Sequence, residues 1–377
     1  MNELSPLKDK WDCLLEASET NIIFSTFEWV SSWWESFGAD KNLFVLIVEK
    51  DDVIVGIAPL MITSHKKFRV RIRKLEFIGT PLSNYSDFII SQEKEEVLKV
   101  IYGYILKKRG CWDIINLKEI PETSSTVSIS QRILDKHRVF SNFFVSDLCR
   151  FLVLESSNRR MIEKKIKQKT LRRHINYFNR TGRLSFVRYD RMENFDEADD
   201  LMEKFFEQHI SRWESTSTPS MFYDPRHRTF YHSILKSMLP KKWVTFSTLK
   251  FDDKVIAFLF GFSYDNTYSE YIVSFDINYA KRSPGMIAFK YNIEDTLNRG
   301  VSEYDLGRGN TPYKSRFTDR VRKNFKIGVY QNYFIYILDT AWEKTKEGIM
   351  KHGSLFQRLF GFKNQVDKFY TNLFHTG

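Results

Sequence analysis

Residues 281–288, KRSPGMIA, gather two cations, a proline and a glycine in one short run. Pro284 suits the first turn of a helix, where its missing N–H goes unused. Gly285 lets another group approach the backbone closely. The spacing predicts a helix from about 284 to 299. Its first amides, on Gly285, Met286, Ile287 and Ala288, are expected to point outwards with the positive end of the helix dipole. Ser283 leads into that turn, and Lys281 and Arg282 add charge beside it. Such a helix end suits a pyrophosphate. Downstream, DLGRG (305–309) closes a strand and PYKSRF (312–317) opens the next turn. Asp305 stands at the strand's C-terminal end, where an open α/β sheet places its ligands. Arg308 follows between two glycines. The two side chains either orient a ligand or form a structural ion pair. Lys314, Arg316, Arg320 and Arg322 then suit an anionic ligand or a solvated basic loop.

These groups need elements to hold them. WVTFSTLK and VIAFLFGFSY read as a hairpin turning at Asp252-Asp253, and YSEYIVSFD reads as the strand that feeds the 284–299 helix. A strand, SEYDLG, follows that helix. The first half has the same order. LFVLIVEK and VIVGIAPLMI turn at Asp51-Asp52, a strand is expected near 72–79, a helix over 92–109, and a strand at CWDIINL. EKDDVIVG and KFDDKVIA lie 201 residues apart, and KKRGCWDII and LNRGVSEYD lie 190 apart. The chain therefore reads as two copies of one α/β unit. The first-half helix opens with Glu93, Glu95 and Glu96 in place of an anion site. Those carboxylates satisfy the dipole and repel phosphate, so only the second copy is expected to bind an anionic cofactor.

Two amphipathic helices are expected near 6–17 and 26–37, the latter capped by Ser25 or Thr26 with Phe27, Val30, Trp33, Trp34 and Phe37 on its core face. Between the halves, residues 158–183 hold ten Lys/Arg and one Glu. Met161, Ile162, Ile166, Leu171, Ile175 and Phe178 predict a basic amphipathic helix there. It either crosses the domains with a solvated basic face or contacts a polyanion or membrane. Residues 337–377 read as a basic, aromatic helix that packs on the second domain or lies on a membrane surface.

Composition narrows the classes. With 377 residues the chain is long enough for two domains, and 33 Phe supply ample core. Lys and Arg number 58 against 47 Asp and Glu, a net charge of +11 that favours anionic partners. Three cysteines without CxxC spacing argue against a disulfide framework or zinc ribbon and fit a reducing cytoplasm. Eight His form no HxH or HxxxH, so no metal site is expected. No run of 18 apolar residues predicts a transmembrane helix, and the N-terminus reads as no secretory signal.

The order hairpin, strand, phosphate-loop helix, strand resembles the GNAT acetyltransferase fold. The segment FDINYAKRSPGMIAFKYNIEDTLNRGVSEYDLGRGNTPYKSRF is similar to the BioF2/CelD-like GNAT acetyltransferases, a group associated with exopolysaccharide and cellulose production. HISRWEST, FYDPRHRTFYHSIL and FSTFEWVSSWW fit the same group. The doubled architecture is shared with FemAB-like peptidyl transferases. The resemblance implies an α/β (α+β) chain of two tandem GNAT-like units, each a mixed central sheet flanked by helices. Residues 1–155 are expected to form an N-terminal unit that does not bind cofactor, and residues 156–377 the acyltransferase unit with the CoA site. Against the family's Q/R-x-x-G-x-G/A loop, Arg282 and Gly285 match, whereas Ala288 lies one residue beyond the usual last small position.

The implied reaction moves an acyl group from acetyl-CoA or another acyl-CoA to an amine, such as an amino sugar or nucleotide sugar. A neutral amine must form, an oxyanion must be stabilised, and a thiolate must leave. In this fold the splayed strand before the phosphate loop exposes a backbone N–H, so Ser274 or Phe275 is the candidate oxyanion donor. Glu270 on that strand is a candidate base; an exposed strand carboxylate is its alternative. His209 is a second candidate base, and Arg212 and Trp213 share its helix face as acceptor contacts. Tyr313 is the candidate acid for the thiolate, and Arg308 and Lys314 are candidate substrate contacts. A FemAB-like enzyme would instead take an aminoacyl group from tRNA, with the 158–183 helix on the RNA backbone. A third reading is a non-catalytic scaffold in polysaccharide assembly.

Overall fold

The structure is a computed structural model describing residues 4–345 apart from 68–69, 215, 217 and 310. Its described residues form two compact units. One gathers 4–25, 38–147 and 323–345, and the other 26–37 and 148–322. This partition differs from a cut at residue 155. The Trp-rich helix Phe27–Phe37 packs on the helix Pro225–Met238 of the second unit, and residues 323–330 pair within the first. Aromatic side chains cause the first exchange: Trp29 is fully buried, edge-on to Phe230, Phe262 and Tyr271. The helix expected to run to 377 is helical over 333–345; its remainder lies outside the described residues.

In the first unit the sheet runs Asn42–Leu43, Leu60–Lys67, Val70–Phe77, Ile114–Pro121 and the strand ending at Tyr330. A three-stranded sheet, Leu46–Lys50, Val53–Ala58 and Ile89–Ile90, packs with the helix Lys94–Lys107. In the second unit the order is the end of Phe140–Val153, then Glu303–Arg308, Thr267–Phe275, Lys254–Tyr264, Val244–Phe251 and Leu184–Tyr189. All these neighbours are antiparallel except Thr267–Phe275 with Glu303–Arg308. The hairpins close as their sequences dictate. Asp51 and Asp52 both take positive φ, the conformation that matches strand twist in two-residue turns; of the pair Asp252-Asp253, Asp252 does so, and Asp265 and Asn266 close the next hairpin in the same way.

The same device opens both sheets. Thr267–Ser269 pair with Glu303–Asp305, and there the parallel ladder ends, so the strands part from Glu270 onward. In the first unit only Lys74 and Leu75 pair with Ile114 and Ile115. The helices that follow also start alike, with left-handed caps at Glu93 (φ 48°) and Ser283 (φ 51°). Glu93 meets Lys50 at 2.8 Å, Glu95 meets Arg132 and Glu96 meets Lys99. The first copy thus fills its own helix end with paired carboxylates.

One expected helix is two. Residues 158–183 divide into Ser156–Ile166 and Lys169–Thr181, broken where Gln168 turns extended. The apolar stripe divides with it. Ile162 and Ile166 join the cluster around Phe289, Tyr304 and Phe317, and Leu171 and Phe178 join that around Leu249, Ile287 and Ala288.

A bulge sets the site's register. Phe260 faces Ile272 but Gly261 faces Glu270, leaving Tyr271 as the extra residue. Gly261 is required there, since a Cβ would lie 2.7 Å from the Ser269 carbonyl and 2.8 Å from Tyr268 Cζ. Gly261→Ala is expected to cost about 1–3 kcal/mol by overpacking, read as a lower melting temperature. An unchanged melting temperature would mean that the bulge relaxes freely.

Candidate active site

Glu270 sits where the two parallel strands part, and it is buried. Its carboxylate accepts from Tyr304 Oη at 2.9 Å and Tyr313 Oη at 3.2 Å. Asn292, on the helix Pro284–Asn298, donates through Nδ2 to Tyr304 Oη at 2.8 Å. A buried chain Asn292–Tyr304–Glu270–Tyr313 results. Burial raises the Glu270 pKa above its ordinary value; the two phenols and the Lys314 charge oppose that rise without cancelling it. Burial and the neighbouring carboxylate raise both phenols as well, so Tyr304 and Tyr313 stay protonated and act as donors. A carboxylate lifted toward neutrality is suited to taking a proton.

The backbone edge beside it is open for a donor. Asp276 N–H bonds to the Ile256 carbonyl, so by alternation Ser274 also faces the strand Lys254–Tyr264. Val273 and Phe275 then turn their N–H and C=O groups to the opposite edge, into the splay. Arg212 confirms the direction, donating to the Val273 carbonyl with its guanidinium 4.3 Å from the Phe275 ring centre. Of the two expected oxyanion donors, Phe275 keeps an edge-facing amide and Ser274 does not. Val273 joins it. The Ser274 side chain is fully buried.

The loop side holds both agreement and correction. Lys281 and Arg282 are exposed at the end of the short helix Ile277–Arg282, and Ser283 makes the left-handed turn. A Cβ on Gly285 would lie 3.2 Å from Phe275, so glycine lets this helix start close against the strand. The four expected outward amides are not all available. Met286 and Ile287 donate to the Ser283 carbonyl, at 3.0 and 3.1 Å, and Ile287 and Ala288 are buried in the core. The proline supplies no N–H, which leaves that of Gly285 as the open donor of the first turn. The loop is reinforced from the helix Lys169–Thr181. Tyr177 stacks on the Arg282 guanidinium at 3.9 Å, and His174 lies against Arg282, whose charge, after burial, lowers the imidazole pKa.

Asp305 is buried and its Oδ1 takes the Gly307 N–H at 2.8 Å, shaping the DLGRG turn. Lys314 is buried too. Its ammonium donates to the carbonyls of Gly307 at 3.1 Å and Arg308 at 2.6 Å, pinning the same turn. Arg308 is half-buried at its end. His209 has a different setting. Its Nδ1 meets Ser220 Oγ at 2.8 Å, its ring stacks on Trp213, and Phe205 and Phe222 lie edge-on. Burial lowers its pKa to about 4, so it is a neutral core histidine above that pH. The structure therefore brings Glu270, Tyr313, Arg212 and Phe275 together and sets His209 in an aromatic cluster. Sequence reasoning missed Tyr304, Asn292, Val273, His174 and Tyr177. Tyr304 and Asn292 had a signal, since polar groups at core positions of a strand and a helix need partners. Among the described residues no group of side chains could hold a metal ion.

Residues 165–315 match the family model for the GNAT acetyltransferase domain, and the match lies inside the second unit. Among solved structures the chain is similar to FemX, at 8% identity and a TM-score of 0.60, over 88% of this chain and 98% of that one. It is also similar to the C-terminal domain of a putative lysylphosphatidylglycerol synthetase from Agrobacterium fabrum, at 11% identity and a TM-score of 0.56, covering 89% and 95%. L-PGS from Bacillus licheniformis gives 12% and 0.52, again covering 89% and 95%. No curated protein matches the sequence. At such identities the likeness carries fold alone, while the family model carries the domain type. Residues 165–315 thus match the GNAT acetyltransferase domain model, and the chain has a fold like that of FemX.

Proposed function

We propose that the second unit is a cytoplasmic N-acyltransferase that passes an acyl group, acetyl being the simplest, from acyl-CoA to an amine. The supporting observation is the buried carboxylate of Glu270 at the splay, held by two phenols beside an open backbone edge. The amine nitrogen attacks the thioester carbonyl and loses a proton to Glu270. The Phe275 amide steadies the oxyanion. The C–S bond breaks, and Tyr313 gives its proton to the thiolate. Glu270 then returns the amine's proton to Tyr313 along their hydrogen bond, so the net transfer runs from amine to sulfur. Lys281, Arg282 and the Gly285 amide hold the pyrophosphate, with the helix dipole behind them. Arg212, Trp213 and Arg308 contact the acceptor. The BioF2/CelD-like resemblance favours an amino sugar or nucleotide sugar of a surface polysaccharide as that acceptor.

A second reading has one observation in its favour. Pro284 and the Ser283 carbonyl leave the helix few open amides, a thin cradle for CoA. A FemAB-like enzyme would take its acyl group from aminoacyl-tRNA, with the cations of Lys169–Thr181 on the RNA backbone. A thermal-shift panel separates the two. Acetyl-CoA and free CoA are expected to raise the melting temperature, and Arg282→Glu is expected to weaken CoA binding by about tenfold, as a helix-end charge contact of about 1–2 kcal/mol implies. A shift with charged tRNA and none with any acyl-CoA would select the second reading.

A further inference from the structure

We propose that the outward face of the helix over 333–345 docks on an anionic lipid bilayer. This helix is amphipathic in reverse. Its inward side is polar: Asp339 and Glu343 meet the buried Lys326 ammonium at 2.6 and 3.0 Å, and Thr340 accepts from Asn142 Nδ2 at 3.1 Å. Tyr330 also donates to Asp339. Its outward side is apolar. Phe334 is 69% exposed, Tyr333 58%, Ile337 43% and Leu338 37%. Exposed Phe140 extends the ridge, its ring 5.0 Å from that of Tyr333. Isolated exposed apolar residues are ordinary, but a contiguous ridge on one helix face marks an interaction surface.

The charge around the ridge identifies the occupant. Gln331, just before the helix, donates through Nε2 to the Arg109 carbonyl at 2.6 Å, which brings the exposed run Lys107, Lys108 and Arg109 to the helix's N-terminal end. Lys136 and Arg138, also exposed, precede Phe140, with Asp135 the acid of that run. A second copy seated on the same patch would set these cations against one another. An anionic bilayer attracts them and accepts aromatic and aliphatic side chains at its interface. No described helix is long and apolar enough to cross a membrane, so the contact is in the plane of the surface. This surface lies in the first unit, and its test is independent of acyl transfer.

The test is co-sedimentation of the full chain with vesicles of phosphatidylcholine, alone or with about 30% phosphatidylglycerol. Binding to the anionic vesicles is expected to be at least about tenfold tighter and to weaken with salt. Phe334→Asp and Leu338→Asp are each expected to weaken it about tenfold, as is the triple change Lys107→Gln, Lys108→Gln, Arg109→Gln, all with unchanged melting temperature. Phe334→Trp is expected to keep it. The proposal is overturned if anionic vesicles are not bound, or if Phe334→Asp binds them as the parent does. It is also overturned if Phe334→Asp disperses a dimer, since the occupant is then a second copy. A Phe334→Asp chain that melts several degrees lower or fails to fold overturns it as well, since the face is then covered within the folded protein.

Discussion

Glu270→Gln is expected to lower kcat by about 10²–10⁴-fold, the usual worth of a positioned general base, while leaving the melting temperature at neutral pH equal or higher. The two halves of that result come from one cause. Burial raises the carboxyl above its ordinary 4.5, so the fold favours the protonated acid. The stability that this group contributes is fully present below the unfolded pKa and is lost as pH rises through the folded one. At neutral pH an ionised Glu270 is therefore a strained member of the core, and the neutral amide removes that strain. Gln keeps one acceptor oxygen, for Tyr304, and turns its NH2 to Tyr313, whose Oη accepts in place of donating, so each phenol keeps a partner. Activity falls while the fold stands. In the parent, kcat/KM is expected to rise with pH through the raised pKa of Glu270, and in the variant that limb should vanish. A variant with full turnover and the same acidic limb would remove Glu270 from the chemistry and return attention to the amine's own ionisation.

Tyr313→Phe supplies the complementary measurement. It removes the donor proposed for the thiolate and one of the two hydrogen bonds on Glu270. The chemical step is expected to slow by about 10-fold or more, with less change in CoA affinity, because the lost proton acts in the transition state. Equal losses in kcat and in CoA binding would mean that Tyr313 shapes the pocket and takes no part in the proton's path.

The repeat was legible because it rests on local chemistry. Paired aspartates fix tight turns, Pro-Gly starts a helix, and Glu93, Glu95 and Glu96 announce a helix end whose carboxylates pair with Lys50, Arg132 and Lys99. The phosphate-loop amides were misread for an equally local reason. Ser283 is the N-cap, whose carbonyl accepts the first intrahelical bonds in any helix, so Met286 and Ile287 are engaged and Ala288 lies beyond the open turn. The break at Gln168 was hidden by a hydrophobic pattern that fits one helix as well as two, each half serving a different cluster. Glu270 was visible as a strand carboxylate, but its burial was not. Burial follows from the bulge at Tyr271, which requires Gly261 on the neighbouring strand, and from tyrosines 34 and 43 residues away in sequence. His209 illustrates the opposite error. Its type and its helix face suggested catalysis, and an aromatic shell makes it a neutral core residue.

Lys314→Met is expected to act on stability and on the pH profile together. The methionine fills the space of the lysine stem but leaves the Gly307 and Arg308 carbonyls, buried partners of the ammonium, without their donor. Losing such bonds to a charged group costs about 1.5–3 kcal/mol each where the acceptors stay buried. Water reaching the half-buried Arg308 would lessen the second cost. A drop of several degrees in melting temperature is the expected result. The electrostatic consequence is separate. Lys314 is the cation that lowers the Glu270 pKa against the rise due to burial, so its removal lets that pKa climb further. The acidic limb of kcat/KM should then move to higher pH, with activity falling most at the acid end. Lys314→Arg keeps the charge but not the compact donor, so it should hold the limb near its parent position even if it destabilises the turn. If Lys314→Met lowers the melting temperature and leaves the limb where it was, the lysine only braces the DLGRG turn. If the limb moves as expected, that brace also sets the protonation of the carboxylate at the splay.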